Sequence, residues 1–141
     1  NIHPKNKFDV GNRLALWALH DEYGKADVVP SGPLYSDYKI EDKSIRVNFV
    51  YAESGLMVGK KEGRNAAQEV KDGVLVEFAI AGKDKRFHAA KAVIDGNSVV
   101  VSSPDVKDPV AVRYAFSQSP VGANLYNKAG LPASPFRTDS W

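Results

Sequence analysis

The chain has 141 residues, of which 43% are hydrophobic and 26% charged, and its formal net charge is +2. This composition is typical of a globular domain and excludes a disordered chain, which would combine low hydrophobicity with high net charge. The near balance of charge gives no support to nucleic-acid binding, which requires a clustered basic face. Because the chain has no cysteine, disulfides, a thiol nucleophile and thiolate metal ligands are excluded. No apolar run approaches the about 18 residues that span a membrane.

Residues 1–24 carry the pattern of a helix. We expect Pro4 to begin it and Gly24 to end it, as these residues commonly do. A lone helix of this length is marginal in water, so Leu14 and Trp17 are predicted to seat it on another structure, with Gly11 allowing close approach. The predicted apolar face repeats at spacings of three and four, through Phe8, Gly11, Leu14, Ala15, Ala18 and Leu19.

After a connector at residues 25–33, rich in proline and glycine, the apolar period changes from 3.6 to 2. Short extended segments then alternate with turn signals, which favours an antiparallel, immunoglobulin-like β-sandwich over residues 34–141 and a mainly β fold. The tail, 117–141, is predicted to be ordered but irregular. The predicted strands are 34–40, 44–51, 56–58, 74–80, 87–94, 98–102 and 109–116.

No metal-binding, nucleotide-binding or esterase-elbow motif is present, and His20 and His88 are far apart in the sequence. We interpret the basic residues of 60–64 as an exposed, solvated loop. His3 is different, because Pro4 restricts it to extended backbone directly before the predicted helix. An imidazole in that position suits a general base, although a histidine near a terminus is more often without such a role.

The first residues resemble a known family. Asn1-Ile2-His3-Pro4-Lys5-Asn6-Lys7, followed by Val10-Gly11-x-Arg13-Leu14-Ala15, resembles the last conserved block of the sialate O-acetylesterases, which are SGNH-type serine hydrolases. The resemblance continues in order to the end of the sequence. It includes Ser31-Gly32-Pro33-Leu34-Tyr35, Val110-Ala111-Val112-Arg113-Tyr114, Asn124-Leu125-Tyr126-Asn127 and residues 130–139.

The resemblance implies that residues 1–24 form the last helix of an α/β SGNH hydrolase domain, that 25–33 are a linker and that 34–141 are an accessory sandwich. It implies that His3 is the catalytic general base, with no metal or organic cofactor. The partner would be the N-terminal SGNH catalytic domain of the same protein, and the substrate an O-acetylated sugar such as sialic acid. The chain alone would lack the nucleophilic serine and be inactive. The family places the protein outside the bacterial cytoplasm, as a secreted, periplasmic or lipid-anchored protein.

Other interpretations stand beside this one. Asp9 and Asp21 are poor candidates for the acid that orients His3, since a helix starting at Pro4 would put Asp9 more than a turn away. The sandwich is alternatively a non-catalytic carbohydrate-binding or structural module. Three side chains suit a sugar site, but packing is the favoured interpretation for each of them: Tyr114, Tyr126 and Arg137. Leu14 and Trp17 are likewise assigned to packing, and Asn124 and Asn127 to satisfying turn backbone.

Overall fold

The computed structural model describes residue 3 and residues 5–141, and it confirms a mainly β fold in which one helix precedes antiparallel sheets. The helix α1 spans Lys7–Trp17 and continues as a π-helical segment, Ala18–Glu22. No helix of the described residues has the length and apolar content needed to cross a bilayer. The strands are β1 Leu34–Glu41, β2 Ser44–Val50, β3 Leu56–Lys60, β4 Gln68–Glu69, β5 Phe78–Gly82, β6 Phe87–Ala89, β7 Lys91–Asp95, β8 Ser98–Ser102, β9 Pro109–Tyr114, β10 Leu125–Asn127 and β11 Phe136–Arg137.

The strands form three sheets. One has the order β1-β2-β8-β7, a second the order β11-β9-β5-β6, and a small third sheet the order β10-β3-β4. All pairings are antiparallel, as expected when consecutive strands are joined by short turns. Ile45 and Val47 on β2 alternate with partly exposed residues, so one face of that strand is buried and the other is solvated.

Phe136 lies at the centre of an aromatic cluster that joins the two four-stranded sheets. Its ring stacks on Tyr35 at 5.2 Å between centroids and meets Phe49 edge-on at 5.7 Å. Both of those rings come from the β1–β2 side, whereas Phe136 itself pairs through β11 with Tyr114 of β9. Rings at these separations add stabilisation beyond the area they bury. The C-terminal tail therefore supplies a central core residue.

Tyr114 and Asn127 anchor the tail from within the core. The Tyr114 hydroxyl accepts a hydrogen bond from the Leu125 amide at 2.9 Å, and burial raises the pKa of Tyr114 to about 12. Asn127 is fully buried and its amide nitrogen donates to the carbonyls of Ser31 and Tyr51. Asn127 satisfies backbone groups as predicted, although two of them lie on distant segments rather than in a local turn.

The predicted strand 74–80 begins only at Phe78. The backbone of residues 74–76 bonds to a side chain instead of a strand: Asn124 accepts from the Val76 amide at 3.0 Å and donates to the Val74 carbonyl at 2.9 Å. Glu77 then has a φ of +64°, which breaks the extended conformation before β5. The alternation of valines in this segment was therefore misleading, because Val74 and Val76 are both exposed.

The predicted strand 87–94 is divided at Ala90. Its first part, β6, pairs with β5, and its second part, β7, pairs with β8 in the other sheet. The Ala90 amide donates to the Phe78 carbonyl at 3.0 Å where the chain leaves the first sheet. The largely apolar character of residues 87–94 gives no sign in the sequence that the chain crosses between sheets here.

The Arg113–Asp139 pair holds the last residues to β9. Arg113 donates from Nε and Nη2 to the two carboxylate oxygens at 2.8 and 2.7 Å, and the Asp139 side chain has no exposed area. The hydrogen bonds from Arg113 lower the pKa of Asp139 below its ordinary value. A carboxylate of this kind stabilises the fold above its unfolded-state pKa, and that contribution is lost as the pH falls through its folded-state pKa.

We predict that Asp139→Asn lowers the free energy of unfolding by about 2 kcal/mol at pH 7, because charge-assisted hydrogen bonds are lost. The difference from the wild type should shrink below about pH 4, where the unfolded carboxyl group is protonated in the wild type. Urea unfolding of both proteins at pH 7 and below about pH 4 measures this difference in the free energy of unfolding. Asp105→Asn is the control, since that carboxylate is 68% exposed. An Asp139→Asn deficit that is unchanged in acid contradicts the assigned charge pairing.

Candidate functional site

The first turn of α1 follows His3 and is capped by a pair of side chains. The Asn6 Oδ1 atom accepts a hydrogen bond from the Asp9 amide at 3.1 Å, and Asn6 Nδ2 donates to Asp9 Oδ2 at 2.8 Å. This reciprocal arrangement satisfies a free amide of the helix end and places a negative charge near the helix N-terminus. The helix therefore begins at Lys7, after its cap, and not at Pro4 as predicted; Pro4 itself lies outside the described residues.

The loop after β3 clamps this turn to the sandwich. Lys61 Nζ lies 3.2 Å from Asp9 Oδ2 and also donates to the carbonyls of Gly63 and Asn65 at 3.2 and 2.7 Å. The Lys61 and Asp9 side chains are only 18% and 19% exposed, so solvent screens this pair less than an ordinary surface pair. The interpretation of residues 60–64 as a solvated loop was wrong for Lys61. It holds for Lys60, which pairs with Glu62 at the open surface.

A hollow of about 380 Å³ lies between α1 and this loop. Its described lining holds three cationic side chains and one carboxylate, namely Arg13, Lys61, Arg64 and Asp9. The Arg64 guanidinium lies 5.8 Å from the ring centre of Phe8. This contact is a second link between the loop and the helix. The hollow thus has an excess of positive charge over a largely apolar lining, and it lies beside the turn that His3 precedes.

His3 itself is exposed and lies in a bend before the capped turn. The two acids weighed as its partners differ in position. Asp9 lies in the first turn of α1, where its carboxylate accepts from Asn6 and Lys61. Asp21 lies beyond α1, where it is 2.6 Å from Nδ1 of His20. Among the described residues, no three His, Asp or Glu side chains come together as a possible metal site.

The predicted apolar face of α1 is largely exposed in the described chain, although Phe8 contacts Arg64 of the loop after β3. Leu14 is 67% exposed, and Val10, which is outside the predicted face, is exposed too. Nothing lies within 4 Å of where a Cβ atom of Gly11 would be, so within the described chain the predicted close approach is not made. Trp17 instead contacts the sandwich, edge-on to Tyr51 at 5.6 Å. The helix therefore leaves the surface around Gly11 and Leu14 uncovered.

The three side chains weighed for a sugar site do not meet at one place. Tyr114 is buried in the core, as the packing interpretation predicts. Tyr126 packs over Gly59, and burial raises its pKa; the Arg13 charge opposes this shift and the Asp9 charge adds to it. Arg137 lies near the last residues, 3.9 Å from the Asp139 carboxylate.

The chain is thus a helix attached to a β-sandwich, and this arrangement has a solved counterpart. It is similar to a carbohydrate acetylesterase from Xanthomonas citri, with 43% sequence identity and a TM-score of 0.86, over 100% of this chain and 30% of that chain. No protein-family model and no curated protein matches it. The chain therefore has the sequence pattern and fold of a portion of a carbohydrate acetylesterase, and spans 30% of that protein's length.

We predict that Lys61→Met loosens the first turns of α1. Removing the ammonium leaves the partly buried Asp9 carboxylate without its charged donor. Loss of this interaction should lower the stability of the first turn by about 1.5 kcal/mol. Amide hydrogen exchange of residues 9–13 should accelerate by about tenfold, since local opening free energies set these rates. Lys60→Met is the matched control, because Lys60 pairs with the exposed Glu62 and should leave the helix unchanged. Equal exchange in the two variants contradicts the clamp.

Proposed function

We propose that the chain is the C-terminal portion of a carbohydrate O-acetylesterase, which removes acetyl groups from sialic acid or a related O-acetylated sugar. The similarity in sequence and fold over all residues of the chain to a carbohydrate acetylesterase carries this proposal. The motif resemblance at residues 1–7 supports the finer assignment to serine-esterase chemistry of the SGNH type.

In this proposal His3 is the general base. Its imidazole takes the proton of a serine hydroxyl as the serine attacks the acetyl carbonyl, and it then delivers that proton to the sugar oxygen as the ester bond breaks. Water subsequently hydrolyses the acetyl-serine, with the same imidazole removing the proton from water. The serine, the acid that orients His3 and the oxyanion donors belong to the N-terminal SGNH domain, so the chain alone is inactive. The reaction needs no metal or organic cofactor, and it takes place outside the bacterial cytoplasm.

The sandwich contributes by holding the helix that His3 precedes. The cap formed by Asn6 and Asp9 fixes the first turn, and Lys61 ties this turn to the loop after β3. A general base must lie within hydrogen-bonding reach of the proton it removes, so loss of this support would displace it. The basic hollow beside the turn would form part of the substrate cleft. Its cationic side chains would donate hydrogen bonds to a sugar.

The uncovered face of α1 supplies the interface with the N-terminal domain. Val10 and Leu14 are apolar and exposed, and the bare backbone at Gly11 between them permits close packing. Hydrophobic residues that recur at helical spacing bury that face in a folded protein. The helix would then lie between the hydrolase core and the sandwich, in contact with both.

We predict that His3→Ala in the full-length parent lowers kcat for aryl acetate hydrolysis by at least about 100-fold, the usual contribution of a general base. His88→Ala is the control, because that histidine lies on β6, away from α1. Retention of turnover within a few-fold of wild type in His3→Ala would show that the assigned role of His3 is wrong.

We predict that Leu14→Ala destabilises the full-length parent but hardly changes the stability of the 141-residue chain. In the full-length parent it should destabilise the protein by about 2–4 kcal/mol, as for a buried leucine. In the 141-residue chain, where Leu14 is exposed, the change should stay within about 0.5 kcal/mol. Thermal unfolding of both forms measures this, with the loop variant Val121→Ala as a control expected to be neutral in both. A neutral Leu14→Ala in the parent eliminates this face as the interface.

A further inference from the structure

The outward face of the β11-β9-β5-β6 sheet carries a guanidinium held between two aromatic rings. The Arg113 guanidinium carbon lies 4.0 Å from the ring centre of Phe87 and 4.6 Å from that of Phe116. Asp139 fixes the plane of the guanidinium through its two hydrogen bonds. Such cation–π contacts orient both rings, so this is a preorganised surface.

Small residues beside the stack leave a hollow of about 410 Å³. Across the sheet, Arg113 is directly opposite Ala79, and Ala79 is opposite Ala89. The two methyl groups form the floor, while Phe87 and Phe116 contribute to the walls. A second, more apolar hollow of about 490 Å³ includes Pro120 and Pro135 and shares Phe116 and Ser117 with the first. Phe116, which is 51% exposed, therefore lines both depressions.

The backbone that presents Phe116 is strained. Glu77 and Ala115 have φ values of +64° and +50° and face each other just beyond the last residue pair of β5 and β9, with the Ala115 amide donating to the Glu77 carbonyl at 2.9 Å. Non-glycine residues in this conformation are strained, and such residues cluster at functional sites. The positive φ of Ala115 turns the chain at the end of β9, and the next residue, Phe116, is exposed.

Polar atoms at the rim have unused hydrogen-bonding capacity. Within the described part of the chain, neither Nη1 of Arg113 nor the Glu77 carboxylate nor the Ser117 hydroxyl has a hydrogen-bond partner. The rim therefore offers a donor, an acceptor and a hydroxyl around aromatic rings. The charges that line the two hollows balance, because Arg113 and Glu77 are the ionisable residues among their described lining.

We propose that these two hollows and Phe116, here called the Phe116 platform, bind a neutral glycan chain with one sugar unit in each hollow. A pyranose has an apolar C–H face that packs on an aromatic ring and hydroxyl groups that pair with a guanidinium, a carboxylate and a serine. The balanced charge favours a neutral sugar over an anionic one. The choice of carbohydrate rests on the proposed function, in which the platform would hold a polymeric substrate to the esterase.

Calorimetric titration of the 141-residue chain with xylohexaose, cellohexaose and sialyllactose tests the platform without requiring any catalysis. We expect saturable binding of a neutral hexasaccharide, weakened about tenfold by Phe116→Ala through loss of the stacking ring. Tyr38→Ala is the matched control, since Tyr38 is an exposed aromatic residue on β1 of the other sheet. Glu77→Gly removes the acceptor while suiting the positive φ, so it should weaken binding and leave the fold intact.

Three results would overturn the proposal: no binding of either neutral hexasaccharide, unchanged binding in Phe116→Ala, or preference for sialyllactose. Dimerisation of the chain that Phe116→Ala abolishes would instead assign the platform to a second copy. The outcome is separable from the proposed function, because aryl acetate hydrolysis by the full-length parent depends on His3 and does not require a glycan chain on the platform.

Discussion

The closure of the sandwich by Phe136 is the constraint on which the rest of the chain depends. This ring touches aromatic side chains of both four-stranded sheets, yet it comes from a two-residue strand near the C-terminus. A strand so short has little pairing of its own, and its position is set by the burial of its phenylalanine. Asp139, a few residues later, then reaches Arg113 and orders the aromatic stack on the outer face. Residues 136–139 therefore fix both the aromatic core, through Phe136, and the aromatic stack on the outer face, through Asp139.

The sequence predicted the parts of the fold that follow a strict local period. Residues 44–50 alternate, and a turn signal at 95–97 separates β7 from β8, so the antiparallel sandwich could be recognised before the structure. The exceptions have specific causes. An asparagine side chain, Asn124, takes the place of a neighbouring strand at 74–76, and the crossing at Ala90 leaves no mark in hydropathy. The tail strands are too short to show any period at all.

The candidate site was only partly accessible to sequence reasoning. Asn6 and Asp9 have the three-residue spacing of a reciprocal helix cap, a signal that could have placed the start of α1. Lys61 could not have been assigned, since its partner Asp9 is remote in sequence and only the fold brings them together. For His3, the role as a base came from the family resemblance. For the predicted apolar face of α1, periodicity identifies a face without saying what covers it, and in the described chain Leu14 and Leu19 are exposed.

The burial of residues 30–33 has a consequence for how the two parts of the chain are joined. Gly32 lies against the backbone of Pro132 so closely that no side chain would fit, and Asn127 and Ser134 both bond to carbonyls of this segment. A segment fixed in this way moves with the sandwich, whereas residues 23–27, which join it to the π-helical segment, are exposed. The orientation of α1 on the sandwich is therefore set by side-chain contacts of the helix, from Asp9 to Lys61 and from Trp17 to Tyr51. An insertion within 30–33 would disturb the sandwich itself, whereas an insertion within 23–27 would leave both sets of contacts possible.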